Sequence, residues 1–563
     1  MYELTIRNGL VITEDEGARV ADIGVQDGCI AVIAPAGTLA PSSDTDIDAS
    51  GLVVAPGGVD SHCHIEQRTS TGLTPCDDFY TASVSALCGG TTTFIPFACQ
   101  HKGQRIADAV EEYRASAKKA ACDYAVHIIV SDPAQPSAVE DLRACIASGY
   151  TSVKVYMTYD ALKLNDTQML DVLALCRAEG AMLMVHAESD GMVRWITSRL
   201  LEAELTAPLY HAGARPALAE REATHRALTF AEYVGTPMLI VHVSGSEAAN
   251  EIARAQSRRQ EEADGEDAGD ASLPVFGETC PQYLTLTMDK LKGHSHGHAG
   301  HAHSHDHDHD HAHADAATQE ALARARAHGE WEGAKYLCSP PLRTPDDVDA
   351  LWAALRDGVL QVVSSDHSAY NFAPPTAEGA NPASKLMHGV TTEDGESLAS
   401  RPKFNFSSVP MGLPGLEARL PLLFSEGVQR GRLNLETFAA VTSTNPAKLY
   451  GLYPRKGVIR VGADADFALF DPAARWTLTH GALHDVLDYS PYEGMDLRGA
   501  LSTTILRGRV VFHRSGSDDK GEVHAGRGTG EWLPCATPNL LGRGLARAFP
   551  CKDDVVLVKA SRL

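Results

Sequence analysis

Between residues 91 and 364 the chain repeats one unit, a short apolar run followed by a helical stretch. The runs span 91–97, 124–130, 152–157, 181–186, 238–243 and 360–364, and helical patterns lie between them, for example over 107–121 and 165–179. Strands alternating with helices build a parallel sheet, because a crossover helix returns each strand to the same direction. In a chain of 563 residues the expected form of that sheet is a (β/α)8 barrel.

The two ends read differently. Leu4, Ile6, Leu10–Ile12, Ile23, Val25, Ile30, Val32 and Ile33 form short apolar runs separated by Asn8-Gly9 and Asp27-Gly28, which are turn signals. Similar runs return at 466–470, 500–506 and 508–512. We therefore expect a small β-sandwich built from both termini. Its first part would cover 1–55 and its second part 431–530, with a flanking helix. The catalytic barrel would occupy 56–430 and a tail 531–563. Two segments interrupt the barrel, near 258–272 and 293–330. The first is acidic and rich in Gly and Ala; within the second, ten of the twenty residues from 294 to 313 are histidine. Neither can bury a core. The histidine stretch is a solvated insertion or a flexible chelator of borderline metals.

A formal net charge of −24 argues against nucleic acid as a partner. No apolar run approaches the roughly 18 residues of a membrane span, and the first ten residues lack the apolar centre of a secretion signal. The twelve cysteines are scattered, without CxxC pairs, and several such as Cys88, Cys145 and Cys176 sit in apolar runs. That pattern reads as reduced core cysteines and a cytoplasmic protein.

Chemistry is expected where apolar runs end, because barrel strand ends converge on one mouth. His62, His64, Lys154, His186, His242 and Asp366 occupy such positions. His62 and His64 are two apart on a strand and so face one point, as a pair of metal ligands must. Each residue alone has an ordinary reading: a solvated turn, a hydrogen-bonded core histidine, a lysine reaching for solvent. A strand-end Asp366 is costly unless paired or metal-bound, and Lys154 inside Val153-Lys154-Val155 is costly as an ammonium. On separate strands in barrel order, the set suits a two-metal hydrolytic site.

Longer segments carry a family resemblance. They include Pro56–His64, Asp77-Asp78-Phe79-Tyr80, Gly89-Gly90-Thr91-Thr92-Thr93, Lys154–Tyr159, Val185-His186-Ala187-Glu188, Val241-His242-Val243-Ser244, Glu278–Leu284, Ser339–Arg343, Ser364-Ser365-Asp366-His367 and Asn445-Pro446-Ala447. Through these the chain, to about Phe512, resembles the dihydropyrimidinase and hydantoinase group of the amidohydrolase superfamily. The resemblance implies a zinc-dependent cyclic amidohydrolase of pyrimidine catabolism, with two zinc ions per chain bridged by a carbamylated Lys154. His62, His64 and Asp366 would hold one metal and His186 and His242 the other. A hydroxide between the metals would attack the ring amide. Asp366 would carry the proton to the leaving nitrogen, Tyr159 would donate to the oxyanion, and Ser339 and the backbone of Met411 would hold the amide edge. A cyclic amide would be the small-molecule partner and the assembly a homotetramer or homodimer.

Two departures matter. Met411-Gly412 stands where the family has Asn-Gly. Glu66 stands where dihydroorotases place an arginine for a substrate carboxylate, which weighs against that activity. The stretches 66–76 and 97–103 would line the pocket. Other readings are an allantoinase-like ureide hydrolase and a catalytically inactive assembly or signalling homologue; the presence of all six ligands opposes the latter.

Overall fold

A computed structural model describes residues 2–42, 44–67, 74–263, 274–293, 331–372, 384–385, 405–516 and 520–538. Most of both interrupting segments, including all of 294–313, falls outside these residues, as do 68–73 of the pocket stretch and the end of the chain after 538.

The repeated unit forms a parallel barrel. Its strands are β1 (Gly58–His64), β2 (Thr91–Cys99), β3 in two stretches (Asp123–Tyr124 and His127–Ile129), β4 (Ser152–Tyr156), β5 (Met182–His186), β6 (Met238–Ile240), β7 (Val275–Thr279) and β8, also in two stretches (Val362–Val363 and His367–Ser368). Each pairs with the next in parallel register, for example Lys154 with Met184 and Met184 with Leu239. The first stretch of β8 pairs with β7 and the second with β1, through His367 opposite Cys63. The break at Ser364–Asp366 thus sits where the sheet closes, and the (β/α)8 expectation is met.

Alternation along the strands sorts side chains between two cores. Phe97, Ile129, Tyr156, Met182, Met184, Leu239, Phe276 and Val362 fill the barrel interior. Val153, Val155, Leu183, Val185 and Ile240 face the surrounding helices. Lys154 therefore lies on the inward row of β4.

The helices start where local chemistry dictates. Asp78, Asn165 and Thr344 cap the helices Phe79–Cys88, Asp166–Glu179 and Pro345–Arg356, each through a reciprocal capping box. Gly180 at φ 74° ends the second in the left-handed conformation that glycine adopts without cost. The helix expected over 107–121 runs Ile106–Ala117 instead. Its last residues leave the helix because Ala120 and Ala121 are drawn into the core, with the Ala121 amide donating to Ser83 Oγ at 2.7 Å.

Both ends of the chain share one mostly antiparallel nine-stranded sheet. Val53–Pro56 joins the halves by pairing with Leu4–Thr13 on one side and Phe467–Leu478 on the other. Residues 531–536, expected to begin a tail, are tied to the starts of β3 and β4. Leu533 N donates to Tyr124 O at 2.7 Å and Cys535 N to Gly149 O at 2.9 Å. Lys456 is buried beside them, 2.6 Å from Asp123, 2.9 Å from Asp464 and 2.8 Å from Asp466. Among the described residues no helix is long and apolar enough to cross a membrane.

Candidate active site

All six candidate ligands meet at the carboxyl end of the barrel. His62 Nε2 lies 3.2 Å from Lys154 Nζ and 3.2 Å from Asp366 Oδ1, and His64 Nε2 lies 3.3 Å from the same carboxylate oxygen. His242 Nε2 is 2.8 Å from His186 Nδ1. Tyr159, Ser339 and Met411 line the same cleft, of about 1360 Å³, with Ser339 Oγ 3.0 Å from Met411 Sδ. The structure thus gathers the nine candidate ligand, catalytic and substrate-binding residues named from the sequence. Cys99, His101 and Lys102 from one expected pocket stretch, and Gln67 from the other, also line the cleft.

Two candidate ligands point inward where the backbone departs from strand geometry. His242 follows β6 at φ 39°, and Asp366 sits in the break of β8 at φ 47°. Tyr159 also adopts a positive φ of 72°. Such conformations cost about 1–3 kcal/mol each for residues other than glycine, and they persist where surrounding structure enforces them.

The sequence reading missed the residues that engage the candidate ligands. Glu278, on β7, faces His62 Nδ1 through Oε1 at 2.6 Å and accepts from the His242 amide at 3.3 Å. Gln67 Oε1 is 2.6 Å from His64 Nδ1. Glu188 Oε2 is 2.7 Å from His186 Nε2 and also receives Arg215 Nη1 at 2.6 Å. In each pair the second ring nitrogen is engaged, which fixes the tautomer that leaves the first free to bind. Glu278 and Glu188 stood in quoted segments, and a carboxylate two residues after His186 was the available signal.

Burial sets the electrostatics. It pulls the Lys154 amine down to about 8 and holds His62, His186 and His242 below the usual histidine range, so the imidazoles are neutral. It pushes Glu278 up to about 8 and Tyr159 to about 12, so the phenol keeps its proton. Burial would also raise Asp366, but His62, His64 and Lys154 hold it below the carboxylate range. For Glu188, Arg215 and His186 overcome burial and lower it to about 2.

The donor chemistry fits a metal. His62, His64 and Asp366 offer ligand atoms within 4.8 Å of one another. Neutral imidazoles plus a carboxylate are the ligands that zinc-like cations take. Glu66 contributes nothing here: its carboxylate accepts from the Phe79 amide at 2.9 Å and pairs with Lys119. No carboxylate-binding arginine occupies its position.

A closed parallel barrel with a histidine–aspartate cluster at its strand ends defines a hydrolase scaffold suited to metal. The chain belongs to the amidohydrolase family, whose model matches residues 53–511. Within it the relatives are hydantoinases and dihydropyrimidinases, as the sequence segments implied. A D-hydantoinase from Rhizobium radiobacter is 37% identical over 90% of this chain and 95% of its own. Among solved structures, a D-hydantoinase from a Bacillus species superposes with a TM-score of 0.78 at 32% identity, over 95% of this chain and 99% of that one. A dihydropyrimidinase from Brevibacillus agri does so with 0.76 and 32%, over the same shares.

Proposed function

We propose that this chain hydrolyses a cyclic amide, opening a dihydropyrimidine, hydantoin or cyclic imide ring to an N-carbamoyl amino acid or related acid. The observation that carries the reading is the convergence of His62, His64, Lys154 and Asp366 within hydrogen-bonding distance at the barrel mouth, beside the His186–His242 pair. His62, His64 and Asp366 would hold one zinc ion and His186 and His242 a second. Lys154 would bridge them after its neutral amine adds to CO2 and loses a proton, which turns a costly cation into a carboxylate-like anion. When bound, the two cations supply an acidified water and polarise the amide carbonyl.

The chain's own residues do the rest. Asp366, an unprotonated carboxylate at the mouth, accepts the proton of the attacking water at a carboxylate oxygen and returns it to the ring nitrogen as the carbon–nitrogen bond breaks. The Tyr159 hydroxyl, kept protonated by burial, donates to the oxygen that gains charge. Ser339 and the backbone at Met411 hold the amide edge of the ring. The protein would work as a cytoplasmic homotetramer or homodimer in pyrimidine catabolism. Turnover of a ring panel by zinc-loaded protein tests the proposal: dihydrouracil, 5-substituted hydantoins and succinimide, with allantoin as the ureide control. Hydrolysis of at least one of the first three classes is expected. Inactivity on all three, or preference for allantoin, refutes it.

A further inference from the structure

Arg215 is a buried cation beside the candidate ligands and their orienting groups. Arg215 ends the short helix Tyr210–Ala214, because Pro216 excludes the helical conformation for the residue before it. The residue is only 6% exposed, yet it reaches the wall of the cleft. There it makes two contacts around His186, whose ring centre lies 5.3 Å from that of Tyr159. Nη1 donates to Glu188 Oε2 at 2.6 Å, the same oxygen that lies 2.7 Å from His186 Nε2. The guanidinium carbon lies 5.2 Å from the centre of the Tyr159 ring.

Its main chain is engaged as well. The Arg215 carbonyl accepts from Arg343 Nη1 at 2.6 Å. Arg343 belongs to the Ser339–Arg343 segment and also donates to Ser244 Oγ at 2.9 Å, two residues past His242. One residue therefore touches, directly or through one partner, the orientation of His186, the ring of Tyr159 and the segment bearing Ser339.

We propose that Arg215 is a positioning residue that couples the His186 half of the site to Tyr159. Through Glu188 it fixes the imidazole of His186, and through its contact with the Tyr159 ring it places the phenol. A planar cation suits this double task, since a guanidinium can donate along its edge and stack with its face, which an ammonium cannot. A residue that only filled space or neutralised Glu188 would have no connection to Tyr159. The inference rests on the oxyanion role proposed above for Tyr159.

The test is a double-mutant cycle of Arg215→Met and Tyr159→Phe in zinc-loaded protein, reading kcat, KM and bound metal on a ring that the native enzyme hydrolyses. Arg215→Met alone is expected to lower kcat by about 10- to 100-fold, the usual range for residues that orient ligands, with KM within about threefold. In the Tyr159→Phe background the same change should cost less than about a third of that factor, because the hydroxyl whose placement it serves has gone. Arg215→Lys, which keeps the charge and much of the volume, should still lose about tenfold. It also serves if the methionine variant does not fold. Independent, multiplying losses with an impaired Tyr159→Phe enzyme would overturn the coupling and leave the proposed function standing. A Tyr159→Phe enzyme with native turnover would overturn the role of Tyr159 and this inference with it.

Discussion

Replacing Glu278 by glutamine removes a group that can ionise while keeping the oxygen that His62 faces. In the native protein Glu278 Oε1 is 2.6 Å from His62 Nδ1, and both side chains are fully buried. A hydrogen bond to a charged group contributes about 1.5–3 kcal/mol. At ~1.4 kcal/mol per factor of ten, that is about 10- to 150-fold in affinity for a metal on His62 Nε2. The loss should depend on pH. Burial holds the Glu278 carboxyl at about 8 against the pull of Lys154. A cation at His62 favours the carboxylate, so below pH 8 binding must drive a proton off Glu278. Native affinity therefore gains up to about tenfold per pH unit from this group as pH rises toward 8, and then levels. The glutamine variant lacks that contribution, so the gap between the two proteins should widen from pH 6 to pH 8. Zinc titration of metal-stripped protein against a competing chelator reads both quantities, with kcat at saturating zinc as the functional check. Equal affinities for the two proteins across this range would refute the argument that Glu278 orients and charges His62.

Other expectations follow from the same geometry. Lys154→Ala should retain fewer than two tightly bound metals by elemental analysis and hydrolyse almost nothing, with partial rescue by short carboxylic acids. Asp366→Asn should keep the fold but lose about a thousandfold in turnover, within the ~10²–10⁴ that proton transfer contributes, and a loss under tenfold would show that another group moves the proton. Lys456→Met strips the cation from Asp466, leaving Asp123 to Arg507 and Asp464 to Arg455, and it should cost about 3–5 kcal/mol, read as an earlier urea midpoint.

The candidate ligands stood out in the sequence and the groups that face them did not, for a physical reason. A ligand sits at the end of an apolar run, so His186 and the buried Lys154 stand out against valines and methionines. A support is defined by what it faces across the barrel, and sequence spacing does not carry that. Glu278 and His62 are 216 positions apart, and Arg215 meets Glu188 across two intervening helices. The strand that carries Glu278 was itself hidden: Val275-Phe276-Gly277-Glu278-Thr279 has only two large apolar residues and follows the acidic interruption. It is a strand because its neighbours β6 and β8 pair with it from both sides. The same tertiary control broke β8. Its apolar run predicts one strand over 360–364, but Asp366 must face the ligands, so the backbone turns to φ 47° and pairing resumes on β1 at His367. The positive φ values at His242, Asp366 and Tyr159 mark where the barrel gives up regular strand geometry to aim polar groups at one point. That is a cost a purely structural barrel would have no reason to retain at three residues of one mouth.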